Sequence, residues 1–213
     1  MVLFKYALFL LLIFFSPLCL AQQEAQDLAQ LLQPMRSMQA DFKQTILDNR
    51  GNAIQKSEGR MALQRPGNFR WEVFRPVPQI IIANTSKLWI YDPDLEQVVI
   101  KSVKQSAPDT PVFLLGDIAG NIDKNFSVRY MQAPANWRWF SISPKMKERS
   151  FETIQLGFYQ RQIKEMRLKD SIGHSTVIQF ANVKMNPTLP ASLFNFRAPA
   201  KVDVIDETKN AFH

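Results

Sequence analysis

One cysteine, Cys19, and two histidines, His174 and His213, are all the thiol and imidazole that the 213 residues contain. That scarcity excludes much chemistry. No His-based metal cluster and no nucleophile–base pair can be assembled from one histidine in a turn and one at the terminus. The dinucleotide-binding GxGxxG, the P-loop and the HExxH zinc motif are missing as well. Asp92 and Asp94 flank Pro93 and could together hold a cation or do acid–base work, but a DPD triplet is first of all a turn sequence. Neither an enzyme nor a cofactor or metal is expected. Long basic runs are also lacking. The formal net charge is +7 and the pI about 9.6, yet the Lys and Arg residues are interleaved with Asp, Glu and Gln, which reads as a solvated basic surface and excludes nucleic acid as the expected partner. No internal repeat, low-complexity tract or interdomain linker interrupts the chain, and its length suits one domain with a real core.

The N-terminus sets the expected compartment. Lys5 precedes the apolar run Tyr6 to Phe15, followed by Ser16-Pro17 and Cys19-Leu20-Ala21, in the order of charged, apolar and small-residue regions of a secretory signal. Residues 1–21 are therefore expected to be a cleaved signal, and 22–213 a single exported domain. The run is shorter than the roughly 20 residues of a membrane span, and polar Gln22-Gln23-Glu24 follow it. A lipid-modified Cys19 is the other alternative, but Leu18 stands where such sites take a small residue. Cleavage after Ala21 removes the one cysteine, so packing alone must stabilise the exported chain.

What is present is mostly β pattern. In the stretch Arg60 to Pro93, Met61 and Leu63 alternate with Ala62 and Gln64, and Phe69, Trp71 and Val73 alternate with Arg70 and Glu72, the period of half-buried antiparallel strands. Ile80, Ile81 and Ile82 form a run apolar on both faces, and Leu88 to Tyr91 a further strand. Turns are expected at Gly67-Asn68 and Asn84-Thr85-Ser86. Arg65 sits before Pro66, which biases it to extended backbone at a strand end. Upstream, Leu28, Leu31, Leu32, Met35 and Met38 fall at helical spacing, with Pro34 kinking or ending the helix. Ser37 to Ile46 reads as the first strand, with Ala40, Phe42 and Ile46 on one face, closed by the turn Asp48 to Asn52.

Downstream strands follow around Val98, Val128, Trp139, Leu156, Met166 and Ile178, with Trp137 and Trp139 facing away from Phe140 and Ile142. About eleven strands at hairpin spacing point to a sandwich or barrel. Asp109 to Leu115 carries an N-cap threonine, a proline at the first helical position and an apolar body, and reads as a short helix. Leu189 to Phe194 reads as a turn. Sixteen Phe and eight Met stand against four Tyr, an excess of apolar side chains without polar tips. An ordinary β core accounts for it; so does a sheet curled around a cavity for acyl chains, covered by the two helices.

The blocks FKQT (42–45), LQRPGNFRWEVFRPVPQIIIANTSKLWIYDPDLEQ (63–97), DTPVFLL (109–115) and FNFRAPAKVDVID (194–206) make the chain resemble the periplasmic outer-membrane lipoprotein carriers of the LolA family. The resemblance covers nearly all of residues 22–213. It implies an incomplete, strongly curved antiparallel β-barrel, mainly β with a few helices covering an apolar cavity. It also implies a soluble periplasmic monomer. Such a monomer takes acylated lipoproteins from an inner-membrane ABC-type releasing complex and delivers them to an outer-membrane receptor. By the family's RP motif Arg65 is the lid latch, bonding to lid backbone near Thr110, Leu114 and Leu115. From the residues alone, a solvated strand-end charge serves as well. The acyl chains are expected against Phe69, Trp71, Ile80, Ile82, Val112 and Phe113, with Leu31 and Met35 beside them. The departure from the family pattern is the basic segment Lys145 to Arg149. A periplasmic lipid- or glycolipid-binding or lipoprotein-sensing module on the same curved sheet is the alternative function.

Overall fold

The computed structural model describes residues 17–103, 122, 125–145 and 151–210. Period-two alternation becomes strand wherever the expected runs fall in these residues. The strands are β1 (Ser37–Leu47), β2 (Ala53–Gln64), β3 (Asn68–Arg75), β4 (Gln79–Ala83), β5 (Lys87–Asp92) and β6 (Gln97–Ser102). They continue as β7 (Phe126–Met131), β8 (Trp137–Pro144), β9 (Phe151–Tyr159), β10 (Gln162–Asp170), β11 (Ser175–Met185) and β12 (Asp203–Asp206). All twelve lie in one sheet of order β12-β6-β5-β4-β3-β2-β1-β11-β10-β9-β8-β7. The two edge strands, β12 and β7, do not pair with each other, so the curved sheet stays an incomplete barrel. The strand beyond the expected eleven is β12, which pairs with β6 in parallel rather than antiparallel fashion.

The turns follow their chemistry. Asp48 Oδ1 accepts from the Arg50 and Asn52 amides, and Asn84 Oδ1 from those of Ser86 and Lys87. Asp92 Oδ1 accepts the Leu95 amide, so the DPD triplet is a turn here. At the two-residue β9–β10 turn, Gln160 and Arg161 both take positive φ, the conformation that matches the twist of a tight hairpin.

Helix α1 runs Pro17–Leu32, shorter at its C-terminal end than the apolar spacing implied. Pro34 disfavours helical backbone at Gln33, so Met35 falls in the turn after α1 and Met38 on β1, both almost fully buried. α1 begins within the expected signal, and residues 1–16 lie outside the described residues. Among the described residues no helix is long and apolar enough to cross a membrane.

The sheet carries two separate apolar layers. On the concave face Leu28 and Leu32 of α1 join Phe42, Met61, Phe140 and Leu156, all at most 2 % exposed, in one continuous core. On the convex face Ile82, Val98 and Phe194 are equally buried but stand apart from that core. They are covered by the segment between β11 and β12, which turns through a 3-10 helix at Ala191–Phe194 against β3 and brings Phe196 to 5.2 Å from Tyr91. Farther along the convex face Trp139 lies against Trp137 and under the Arg167 guanidinium, 4.5 Å from its ring, while Phe140 and Ile142 point inward as the alternation implied.

One of the sheet's register shifts brings two backbones unusually close. β2 and β3 shift register between Glu58 and Gly59, and a Cβ at Gly59 would lie 1.9 Å from the Glu72 carbonyl oxygen and 2.9 Å from the Phe42 ring. Only glycine lets the backbones approach this closely.

Candidate functional site

Arg65 stands in the tight turn joining β2 to β3, where Gln64 pairs with Asn68 and Gly67 takes a positive φ of 68°. Its backbone amide donates to the Arg36 carbonyl at 2.9 Å, which ties the turn to the start of β1. Its side chain reaches inward. Nη1 donates to the Leu32 carbonyl at 3.0 Å. Leu32 is the last residue of α1, where carbonyls lack helical partners and the helix dipole is negative, so a guanidinium is favoured there. The side chain is half-buried, and that burial pulls the Arg65 pKa below its ordinary value. The expected partners Thr110, Leu114 and Leu115 lie outside the described residues. The bond described among the remaining residues runs to the end of the N-terminal helix.

A second group holds the same helix end. Asn186, at φ 55°, accepts from the Arg36 amide at 2.8 Å and the Ser37 amide at 3.3 Å, and donates to the Pro34 carbonyl at 3.0 Å. Ser37 Oγ donates to the Pro187 carbonyl at 2.7 Å. The Asn186-Pro187 pair is a turn signal, and Asn is the side chain that best tolerates the left-handed region. Asn186→Ala loses all three bonds and strains the backbone. It is expected to cost about 1–3 kcal/mol in urea unfolding, because two of the bonds are exposed and the third is only partly buried. An unchanged midpoint would show that the junction is held elsewhere.

Along its length α1 is clasped to the sheet's open edge. The Tyr130 amide, on edge strand β7, donates to Glu24 Oε1 at 2.9 Å, and its hydroxyl donates to Asp27. Burial first, and then the Asp27 carboxylate, push the phenol up to about 12, so it remains a neutral donor.

Between these fixings lies the concave apolar face. Phe69 and Trp71 are buried on it, their rings 6.2 Å apart, and the Phe42 ring stacks on Trp71 at 3.5 Å. Leu31 and Met35 belong to the same core. Ile80 and Ile82 do not share this face. Register pairs Trp71 with Ile81 and Phe69 with Ala83, whereas Ile80 and Ile82 pair with Glu72 and Arg70. A one-residue phase difference therefore puts Ile81 inside and Ile82 under the convex strap. The alternation in β3 could not phase β4, because the Pro76-Val77-Pro78 turn hides how many residues are spent between them. Val112 and Phe113 lie outside the described residues, as does Met146 to Arg149 of the basic segment.

This architecture has relatives. The outer membrane lipoprotein carrier protein LolA family model matches residues 33–197. An outer-membrane lipoprotein carrier protein of Dechloromonas aromatica is 35% identical over 193 residues, covering 90% of this chain and 91% of that protein. That of Pseudomonas aeruginosa PAO1 is 39% identical over 182 residues, 85% of this chain and 87% of its own. Among solved structures, an uncharacterised conserved protein of Thermus thermophilus has a TM-score of 0.53 at 13% identity, covering 87% of this chain and 99% of its own. A LolA superfamily protein of Nitrosomonas europaea gives 0.50 at 14% identity, covering 83% and 97%. These two share the fold. The blocks around Arg65, the half-barrel and the match over most of both chains together place this chain in the outer membrane lipoprotein carrier protein LolA family.

Proposed function

We propose that the protein is a periplasmic carrier that shelters the acyl chains of lipoproteins on the concave face and passes them on. An inner-membrane ABC-type complex loads it and an outer-membrane receptor unloads it. It acts as a soluble monomer without catalysis. The observation that supports this most is the apolar concave face covered by a helix that a few polar contacts hold down, among them the half-buried Arg65 guanidinium on the Leu32 carbonyl. Such a seal is reversible. A charge-assisted hydrogen bond contributes about 1.5–3 kcal/mol, which leaves an open state within reach of binding energy. Acyl chains supply that energy at about 25 cal/mol per Å² buried. Neither nucleotide nor metal is needed for release if the receptor offers the chains a more favourable surface.

The test is a photo-crosslinker scanned along β4 in the presence of a triacylated peptide. The probe at Ile81 is expected to capture lipid, and at Ile80 to give none, since the two positions face opposite sides of the sheet. Capture from Ile80 with silence at Ile81 would place the lipid on the convex side and overturn the reading.

A further inference from the structure

Three adjoining hollows run along the outer side of β1, and they are one groove. The first, about 580 Å³, shares Asp41 and Arg60 with the second, about 450 Å³, which shares Lys43, Glu58 and Gln179 with the third, about 530 Å³. Register puts the charged side chains on one face, since Lys43 lies opposite both Glu58 and Gln179, Thr45 opposite Lys56, and Asp41 opposite Arg60. That face is opposite to Phe42 and Met61, hence outside the proposed lipid site.

The groove's charges do not cancel. Asp41 uses one oxygen on Arg60 at 3.0 Å and the other on Asn182 at 2.7 Å, and those bonds, Asn182's first, hold its pKa below the ordinary value. Glu58 is bound by Arg75. Both carboxylates are thus neutralised by neighbours. Lys43, Lys56 and Lys184 also line the groove, are exposed, and have no ion pair among the described residues. Phe74, 45% exposed, adds an apolar wall beside them.

We infer that this groove binds an extended acidic peptide segment of a partner protein, with carboxylates on Lys43, Lys56 and Lys184 and an apolar side chain against Phe74. From Gln39 to Thr45 the groove follows β1 for about 20 Å at about 3.3 Å per residue, the span of some six extended residues. A hollow of this form receives a chain; a flat anionic bilayer would meet only its rims. Three exposed lysines outside the ion pairs give the charge complementarity that steers an acidic strand and sets its register.

The probe is a fluorescein-labelled decapeptide of Asp and Glu with one central Phe, titrated by anisotropy with the full exported chain. Binding is expected to weaken with salt. It should fall about tenfold or more in the triple variant Lys43→Glu, Lys56→Glu, Lys184→Glu, and persist in the triple Lys→Arg variant. Replacing the central Phe by Gly should weaken it further. Capture of a triacylated peptide, measured in parallel, is expected to be unchanged, which separates this groove from the lipid site and shows that the variant is folded. Equal binding of the acidic peptide to wild type and the Glu variant overturns the proposal. So does lysine-dependent cosedimentation with vesicles of 30% phosphatidylglycerol in phosphatidylethanolamine when the peptide itself does not bind.

Discussion

Gly59→Ala is expected to lower stability by about 3 kcal/mol or more, at the upper end of overpacking costs, because the new methyl meets backbone rather than a movable side chain. Its Cβ would lie 1.9 Å from the Glu72 carbonyl oxygen and 2.9 Å from the Phe42 ring, so β3 would have to move away from β2 at the register shift. For a chain of this size the loss corresponds to a fall of about 6–12 °C in Tm. Gly51→Ala provides the comparison. Gly51 has φ +84° but nothing within 4 Å of a Cβ, so only backbone strain is added, about 1 kcal/mol. If the two variants melt together, contact at Gly59 is not what sets the cost. Moving β3 also moves Phe69 and Trp71, so lipid capture is expected to weaken with stability.

Arg65→Leu is expected to separate loading from delivery. Loss of a charge-assisted bond to Leu32 destabilises the closed state by about 2 kcal/mol, a change of roughly thirtyfold in the open-to-closed ratio. Lipid that must open the face to enter then binds about tenfold or more tightly, and delivery falls in proportion, because the carrier's affinity enters the exchange equilibrium inversely. Arg65→Lys should recover part of the behaviour, since an ammonium keeps the charge without the planar fork. The measurement is paired, with uptake from inner-membrane vesicles and onward transfer to the receptor. Normal values for both would remove Arg65 from the mechanism. Loss of both, with a lowered Tm, would assign it to the fold alone.

Where local pattern decides, the chain is readable. Phe69, Trp71 and Val73 alternate with charges because one face of β3 is buried, and Trp139 and Phe140 point to opposite faces for the same reason. Where a long-range partner decides, it is not. The four residues Asp203–Asp206 are strand only because β6, about a hundred positions earlier, offers them an edge. Ile80, Ile81 and Ile82 are equally apolar, and only register against β3 tells which faces inward. Met38 continues the helical spacing of Leu28 and Leu31 yet belongs to β1, since Pro34 ends the helix and both elements feed one core. Arg65 was identifiable as a placed cation from Pro66. Its bond to Leu32 was not, because nothing local says which carbonyl lies above a turn.

At the centre of the sheet β1 is flanked by β2 on one side and by β11 on the other, with Met38 opposite Met185. No segment emerging early can therefore complete the inner surface, because β1 keeps one unsatisfied edge until nearly the whole polypeptide is present. Closing a loop of that length before its contacts form places folding in the slow, non-local regime of milliseconds to seconds. Until β11 arrives, that bare ladder edge is also a template on which another chain could pair, so the same topology that makes the finished protein exposes its early intermediates to misassociation.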